Sequence, residues 1–158
     1  MLLTNYTQSI MAKGDHFDLL HRYARCHYIE RDGVREMWID ENLDPFTGEW
    51  LARRKMIEGG RDDWDRGVDY NHSTFCDLVI SGLGGIYYLD GKLTVEPLFD
   101  EAQLDYICLD GVMCGDHFIT VIYDKTGERY GNGRGLSVLV DGVKRAEADG
   151  ITKITLNI

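Results

Sequence analysis

The stretch Leu136-Ser137-Val138-Leu139-Val140-Asp141-Gly142 decides the fold of the second half of this chain. In a β-strand, the side chains of Val138 and Val140 point to one face and those of their neighbours to the other. An Asp-Gly pair next to such an alternating run is the strongest short-range signal for a β-hairpin. The same combination recurs through residues 86–158, with turn signals at Asp90-Gly91, Asp110-Gly111, Gly115-Asp116 and Asp124-Lys125-Thr126-Gly127. These residues are therefore predicted to form an antiparallel β-sheet or sandwich.

The preceding residues show a different period. Apolar side chains recur at helical spacing over residues 16–30, and Asp32-Gly33 is the expected stop of that helix. A further helix is predicted over residues 73–85, from a serine cap to a glycine stop. Residues 34–70 form a long connection between the two helices, and an ordered loop of this length is usually functional.

The apolar surface of the second predicted helix bears on the fold class. The helix over residues 73–85 is nearly all apolar, which suits a helix that is covered on most of its surface. We therefore interpret residues 1–85 as the last helices of a larger helical array and residues 86–158 as a separate β-domain, an α+β arrangement. The alternative is a small α+β domain whose helices pack directly on the sheet.

The charge of the chain limits its partners. The 158 residues carry 27 acidic and 17 basic side chains, a formal net charge of −10. Such a chain has little with which to replace the counterions of a phosphate backbone, so nucleic acid and anionic membranes are excluded as expected partners. No apolar run reaches the length of a membrane span, and the N-terminal residues lack the pattern of a secretory signal, which predicts a cytoplasmic protein.

The cysteines do not suggest a metal site. Cys26, Cys76, Cys108 and Cys114 are scattered, with no CxxC pair, and are expected to be reduced and structural. Cys114 and His117 have a ligand-like spacing, but a zinc site needs about four ligands and no second pair is present. The sequence predicts neither a metal nor a cofactor.

Two segments of the first half resemble a known family. They are MWIDENLDPFTGEW at residues 37–50 and YNHSTFCDLVISGL at residues 70–83. Both resemble the C-terminal end of (α/α)6-barrel glycoside hydrolases, in particular the mannosylglycerate hydrolase and family 63 α-glucosidase group. This resemblance implies that residues 1–85 are the last helical hairpins and the active-site loop of an incomplete (α/α)6 toroid. Residues 86–158 match the β-rich tail that follows the barrel.

The resemblance also implies a catalytic residue. Glu41 occupies the position of the general base, the carboxylate that removes a proton from the attacking water in inverting glycosidases. Trp38, Trp50 and Trp64 would stack on sugar rings, and Arg53 and His72 would bind substrate polar groups. The family's general acid has no counterpart here, so a second polypeptide that completes the barrel is an expected partner.

Each of these site residues also has a plain structural interpretation. Glu41 is one of many solvated acids, and a tryptophan packs under a long loop as readily as it contacts a ligand. The alternative interpretation of Arg53 is a charge on the protein surface. The alternative for His72, which lies beside a predicted helix cap, is a structural role.

The sequence thus predicts a fragment of an inverting α-glycosidase that acts on glucosides, mannosides or small glycoside conjugates and that is inactive alone. The alternatives are a non-catalytic carbohydrate-binding or interaction module, and a degenerate fragment without activity.

Overall fold

The computed structural model describes residues 13–40, 42–44, 46–61 and 73–158. The chain divides into two compact units. We call the first, Met1–Asp18 with Thr74–Ile158, the sandwich unit, and the second, Leu19–Ser73, the hairpin unit.

The sandwich unit contains two antiparallel sheets. Their strands are β3 (Ile86–Leu89), β4 (Lys92–Val95), β5 (Tyr106–Cys114), β6 (His117–Asp124), β7 (Gly135–Val140), β8 (Val143–Ala148) and β9 (Ile154–Asn157). One sheet has three strands in the order β3-β4-β9, and the other has four strands in the order β5-β6-β7-β8.

The two sheets share one hydrophobic core. Ile86, Leu93 and Val95 come from the three-stranded sheet, and they pack in the same cluster as the apolar side chains of β6 and β7. Those side chains are Ile119, Val121, Tyr123, Leu136, Val138 and Val140. Each fully buried aliphatic side chain contributes about 1.5–3 kcal/mol relative to exposure, so this cluster is the main source of the unit's stability.

Type I′ turns close two hairpins of the sandwich unit. Asp90-Gly91 joins β3 to β4 and Asp141-Gly142 joins β7 to β8, each as a two-residue loop with positive φ at both positions. This turn matches the right-handed twist of the flanking strands, which is why Asp-Gly is favoured there. Asp110-Gly111, in contrast, lies inside β5, where the pairing with β6 shifts between Leu109 and Val112. The pair at 110–111 makes a β-bulge and not a turn.

Short helices complete the sandwich unit. The helix α1 (Lys13–Arg25) begins in this unit, and its residues from Leu19 onward belong to the hairpin unit. The helix α3 (Ser73–Leu78) continues into a π-helix (Val79–Leu83). The buried imidazole of His16 packs against Gly82 of the π-helix, at a place where a Cβ would collide with the ring.

The hairpin unit contains a β-hairpin and one complete helix. Strands β1 (Tyr28–Arg31) and β2 (Val34–Met37) pair antiparallel across a type I′ turn at Asp32-Gly33. The helix α2 (Leu51–Glu58) follows an isolated bridge between Leu43 and Trp50.

The predicted fold class is wrong. The described residues contain no portion of an (α/α)6 toroid: they are mostly antiparallel β-structure with a few short helices. The helix predicted over residues 16–30 ends at Arg25, because residues 28–37 alternate around an Asp-Gly turn and pair as a hairpin. The helix predicted over residues 73–85 is not enclosed either: no residue of α3 is buried, and in the π-helix that continues it the buried residue is Gly82. The domain boundary predicted between residues 85 and 86 stays a prediction.

Candidate functional site

The hairpin unit contains a pocket with a volume of about 590 Å³. Its wall combines aromatic and aliphatic surface with charges of both signs. It is formed by the end of α1, strand β1, the turn before α2, and α2 itself. The lining residues are Arg25, Cys26, Tyr28, Glu30, Thr47, Gly48, Glu49, Trp50, Arg54, Ile57 and Glu58.

Trp50 fixes one wall of this pocket. Its side chain is only 5% exposed, and its indole N–H donates a hydrogen bond of 2.8 Å to the carbonyl oxygen of Cys26. The indole also meets the rings of Tyr23 and His27, with centroid separations of 6.5 and 5.9 Å. Trp50 therefore connects the turn before α2 to the end of α1. Because its N–H already bonds the carbonyl oxygen of Cys26, it is not available to a ligand.

The turn before α2 is held by its own side chains. The Asp44 carboxylate accepts hydrogen bonds from the backbone N–H groups of Phe46 (2.9 Å) and Thr47 (3.2 Å). These two bonds are the main reason why the pKa of Asp44 lies below its usual range. Gly48 has a φ of 74°, and a Cβ there would lie 3.1 Å from the sulfur of Cys26. The sequence Thr47-Gly48 thus allows this turn to approach α1 closely.

Charged groups surround the mouth of the pocket. Arg54 pairs with Glu49 at 3.1 Å and lies 3.8 Å from Asp44. Both arginine pairs are at least partly exposed, so they add little to stability, but they orient the guanidinium at the wall. On β1, the ring of Tyr28 is covered on one face by the guanidinium of Arg35, 3.4 Å from its centroid. The pocket can therefore contact both the ring and the hydroxyl groups of a small polar ligand.

The structure brings one predicted site residue to the pocket wall, namely Trp50. Trp38 is buried and is not among the lining residues. Arg53 lies in α2, and its side chain is not described. Glu41, Trp64 and His72 lie outside the described residues. Their predicted roles stay predictions.

Sequence reasoning did not identify Tyr28 as part of the site, because it placed this residue in a helix. The available signal was the alternation of Tyr28-Ile29-Glu30-Arg31 around Asp32-Gly33, which indicates a hairpin. Cys26 and Glu30 were missed for the same reason.

The described part of the chain contains neither a cluster of metal-ligating side chains nor a membrane-spanning helix. No group of three His, Cys, Asp or Glu side chains there could hold a metal ion. All four cysteines are free, and burial raises the pKa of the Cys114 thiol, which disfavours the reactive thiolate. No helix among the described residues is long and apolar enough to span a membrane.

Comparisons with known proteins give one informative similarity. No protein-family profile matches the chain, and no curated protein matches it either. A solved structure named "Sialidase" is similar over 92% of this chain, with 34% sequence identity and a TM-score of 0.75. The chain spans only 12% of that protein's length. This similarity relates the chain to part of a glycoside hydrolase, and it gives no support to the mannosylglycerate hydrolase and family 63 group in particular.

Proposed function

We propose that this chain is part of a glycosidase and that the pocket of its hairpin unit binds a sugar residue. The observation that carries the proposal is the similarity to a sialidase, because 34% identity over 92% of the chain extends through both units. A sialidase is a glycosidase, so saccharide recognition is the function that this similarity favours.

The geometry of the pocket supports the same function. Its volume of about 590 Å³ lies in the range of small-molecule sites. Tyr28 offers aromatic surface to the C–H face of a pyranose, while Glu49 and Arg54 offer acceptors and donors to hydroxyl groups.

The narrower form of the proposal assigns catalysis to Glu41 as the general base of an inverting α-glycosidase. The backbone next to it is tied to the pocket: the carbonyl oxygen of Asn42 accepts a hydrogen bond of 2.9 Å from Leu51, and Leu43 bridges to Trp50. The base would take a proton from a water that attacks the anomeric carbon, while an acid across the glycosidic bond protonates the leaving oxygen. That acid is not assigned in this chain.

Sugar binding at the pocket can be tested with the chain itself. We expect methyl α-mannoside, methyl α-glucoside or N-acetylneuraminic acid to shift backbone amide signals of residues 25–30 and 47–58 in NMR titrations. Tyr28→Ala should weaken this binding about tenfold, because stacking contacts of an aromatic ring are worth about 1 kcal/mol or more. Phe46→Ala is the matched control, since Phe46 is 96% exposed and does not line the pocket. Equal affinities of the two variants and the unaltered chain would contradict the pocket assignment.

The role of Glu41 needs the complete enzyme. In that enzyme, Glu41→Gln should lower kcat by about 10²–10⁴-fold with little change in KM, because removal of a general base affects only the transition state. Retained turnover would exclude Glu41 as the base and would leave sugar binding by the pocket untouched.

A second candidate is a non-catalytic saccharide-binding role for the sandwich unit. It is favoured by the half-exposed ring of Tyr106, which lies beside Tyr130. The cytoplasmic location predicted from the sequence stays a prediction.

A further inference from the structure

An aromatic and cationic cluster lies on the sandwich unit, and none of its residues lines the pocket described above. It consists of Tyr106, Arg129 and Tyr130, and we call it the Arg129 platform. Tyr106 is the first residue of β5 and pairs with Asp124, the last residue of β6. Residues directly opposite each other in an antiparallel pair point to the same face, so Tyr106 and Asp124 share the sheet face that turns away from the core side chain Tyr123.

Asp124 fixes the loop that supplies the other two residues. Its side chain is 1% exposed, and its carboxylate accepts four backbone N–H hydrogen bonds. The donors are Thr126 (3.2 Å), Gly127 (2.8 Å), Arg129 (2.8 Å) and Tyr130 (3.1 Å).

The ionised form of Asp124 is the one that holds this loop. Desolvation is the largest single influence on its pKa and acts to raise it, but the four N–H donors together outweigh desolvation and lower the pKa. The loop is therefore organised before any ligand arrives, which reduces the entropy lost on binding.

The guanidinium of Arg129 is held by aromatic contact and not by an acid. Its Cζ atom lies 4.7 Å from the centroid of the Tyr106 ring. The Tyr130 ring meets the Tyr106 ring edge-on, with centroids 6.2 Å apart. Within the described ranges Arg129 has no ion pair, not even with the adjacent Glu128. Lys125, Lys144 and Lys153 of the same unit each pair with a carboxylate, at 3.0 Å.

The side chain of Arg129 is exposed, and among the described residues no carboxylate pairs with it, so its guanidinium is open to a ligand from solvent. The contact with the Tyr106 ring restricts the positions that the exposed guanidinium can take. An arginine whose N–H groups are accessible can recognise a planar carboxylate through two parallel hydrogen bonds. Tyr106 is 48% exposed and Tyr130 is partly exposed, so ring surface is available beside the guanidinium.

We propose that the Arg129 platform binds an acidic saccharide, a ligand whose carboxylate pairs with Arg129 while its pyranose ring contacts Tyr106 and Tyr130. The saccharide part of this ligand rests on the proposed function. The position of the site is independent of the sugar pocket, because it lies in the sandwich unit and shares no residue with the pocket of the hairpin unit.

The test is an NMR titration of the whole 158-residue chain with three probes: glucuronic acid, glucose, and acetate. We expect glucuronic acid to shift the backbone amides of residues 106 and 124–130. Its apparent affinity should exceed that of glucose and that of acetate by about tenfold or more, because a charge-assisted hydrogen bond and a stacking contact each contribute on that scale.

Variants assign the effect to Arg129. Arg129→Gln should remove the preference for glucuronic acid over glucose, and Arg129→Lys should restore only part of it, since an ammonium lacks the planar fork. Arg145→Gln is the matched control, because Arg145 is an exposed arginine of the same sheet without a contact to Tyr106. It should leave the affinity unchanged. Thermal unfolding of each variant shows that it is folded.

Three results would overturn the proposal. Equal affinity for glucose and glucuronic acid would show that the carboxylate is not recognised. Equal affinity for acetate and glucuronic acid would show that the sugar ring is not recognised. Shifts confined to residues 25–30 and 47–58 would place the acidic sugar in the hairpin unit, which would support the proposed function while excluding this second site.

Discussion

The two units of the molecule are stabilised in different ways. The sandwich unit has one core to which strands of both sheets contribute many fully buried aliphatic side chains. Among the described residues of the hairpin unit, the buried hydrophobic side chains are Leu20, Trp38 and Trp50. Stability in the sandwich unit is therefore spread over many positions, whereas in the described part of the hairpin unit it depends on a few aromatic contacts and single hydrogen bonds.

This difference agrees with the proposed position of the sugar pocket. Regions of low local stability are where binding loops and moving elements are usually found, because a binding site must expose surface that a core would bury. The hairpin unit carries the pocket, and the sandwich unit gives a firm base for the loop that carries Arg129.

The largest effect is expected in the core of the sandwich unit. Leu136→Ala should lower the free energy of unfolding by about 2–5 kcal/mol, because Leu136 is completely buried and the cavity can close only in part. Urea denaturation monitored by circular dichroism measures this loss. Leu89→Ala is the matched control: Leu89 is 51% exposed, and its change should stay within about 0.5 kcal/mol. Similar losses for both variants would show that the core is not the main source of stability.

A smaller and local effect is expected in the hairpin unit. Trp50→Phe removes the N–H that bonds the carbonyl oxygen of Cys26, a loss of about 0.5–1.5 kcal/mol. Amide hydrogen exchange should become faster in residues 23–58 and stay unchanged in β6 and β7. Phe46→Leu, at an exposed position of the same unit, should change neither. Faster exchange throughout the sandwich unit after Trp50→Phe would show that the two units open together.

The smallest effect is a pH dependence that involves His16. Burial lowers the pKa of His16, and a hydrogen bond with the backbone of Leu78 opposes this only in part. In the described part of the chain, its buried Nε2 has no hydrogen-bond partner, so the neutral ring is favoured. Below a pH of about 6.5, the unfolded pKa, His16 binds more protons in the unfolded state than in the folded state. The sandwich unit therefore keeps its full stability above this pH and loses part of it as the pH decreases.

Urea midpoints measured between pH 7.5 and pH 5 test this dependence. The midpoint of the unaltered chain should fall with pH, and His16→Asn should reduce the slope. His21→Asn is the comparison at an exposed position of the same helix. A slope that is the same with and without His16 would contradict the buried neutral ring.

Part of the fold follows from local sequence. The Asp-Gly pairs at 90–91 and 141–142 make type I′ turns because the alternating residues on both sides can pair. At two other places the Asp-Gly pair forms a structure different from the predicted one. Residues 32–33 are predicted to stop a helix but form a hairpin turn, and residues 110–111 are predicted to form a turn but make a bulge. Which of these outcomes occurs depends on the partner strand, and that information is not local.

The candidate site was less predictable than the strands. Trp50 reaches the pocket wall through its contacts with residues 23–27, which are far away in sequence. The toroid was predicted from two segments that resemble a barrel enzyme, but short similar segments do not determine how many helices surround them. For the Arg129 platform the sequence predicts only a turn at residues 124–127. It does not show that the Asp124 carboxylate is buried and orders the loop from residue 125 to residue 130.

The two outer strands of the four-stranded sheet are poor templates for a further strand. β5 carries the bulge at Asp110-Gly111, which interrupts its row of backbone groups. β8 presents the exposed charges of Lys144, Arg145 and Glu147. Irregular or charged margins hinder a sheet from recruiting another molecule, so the four-stranded sheet is protected against edge-to-edge aggregation.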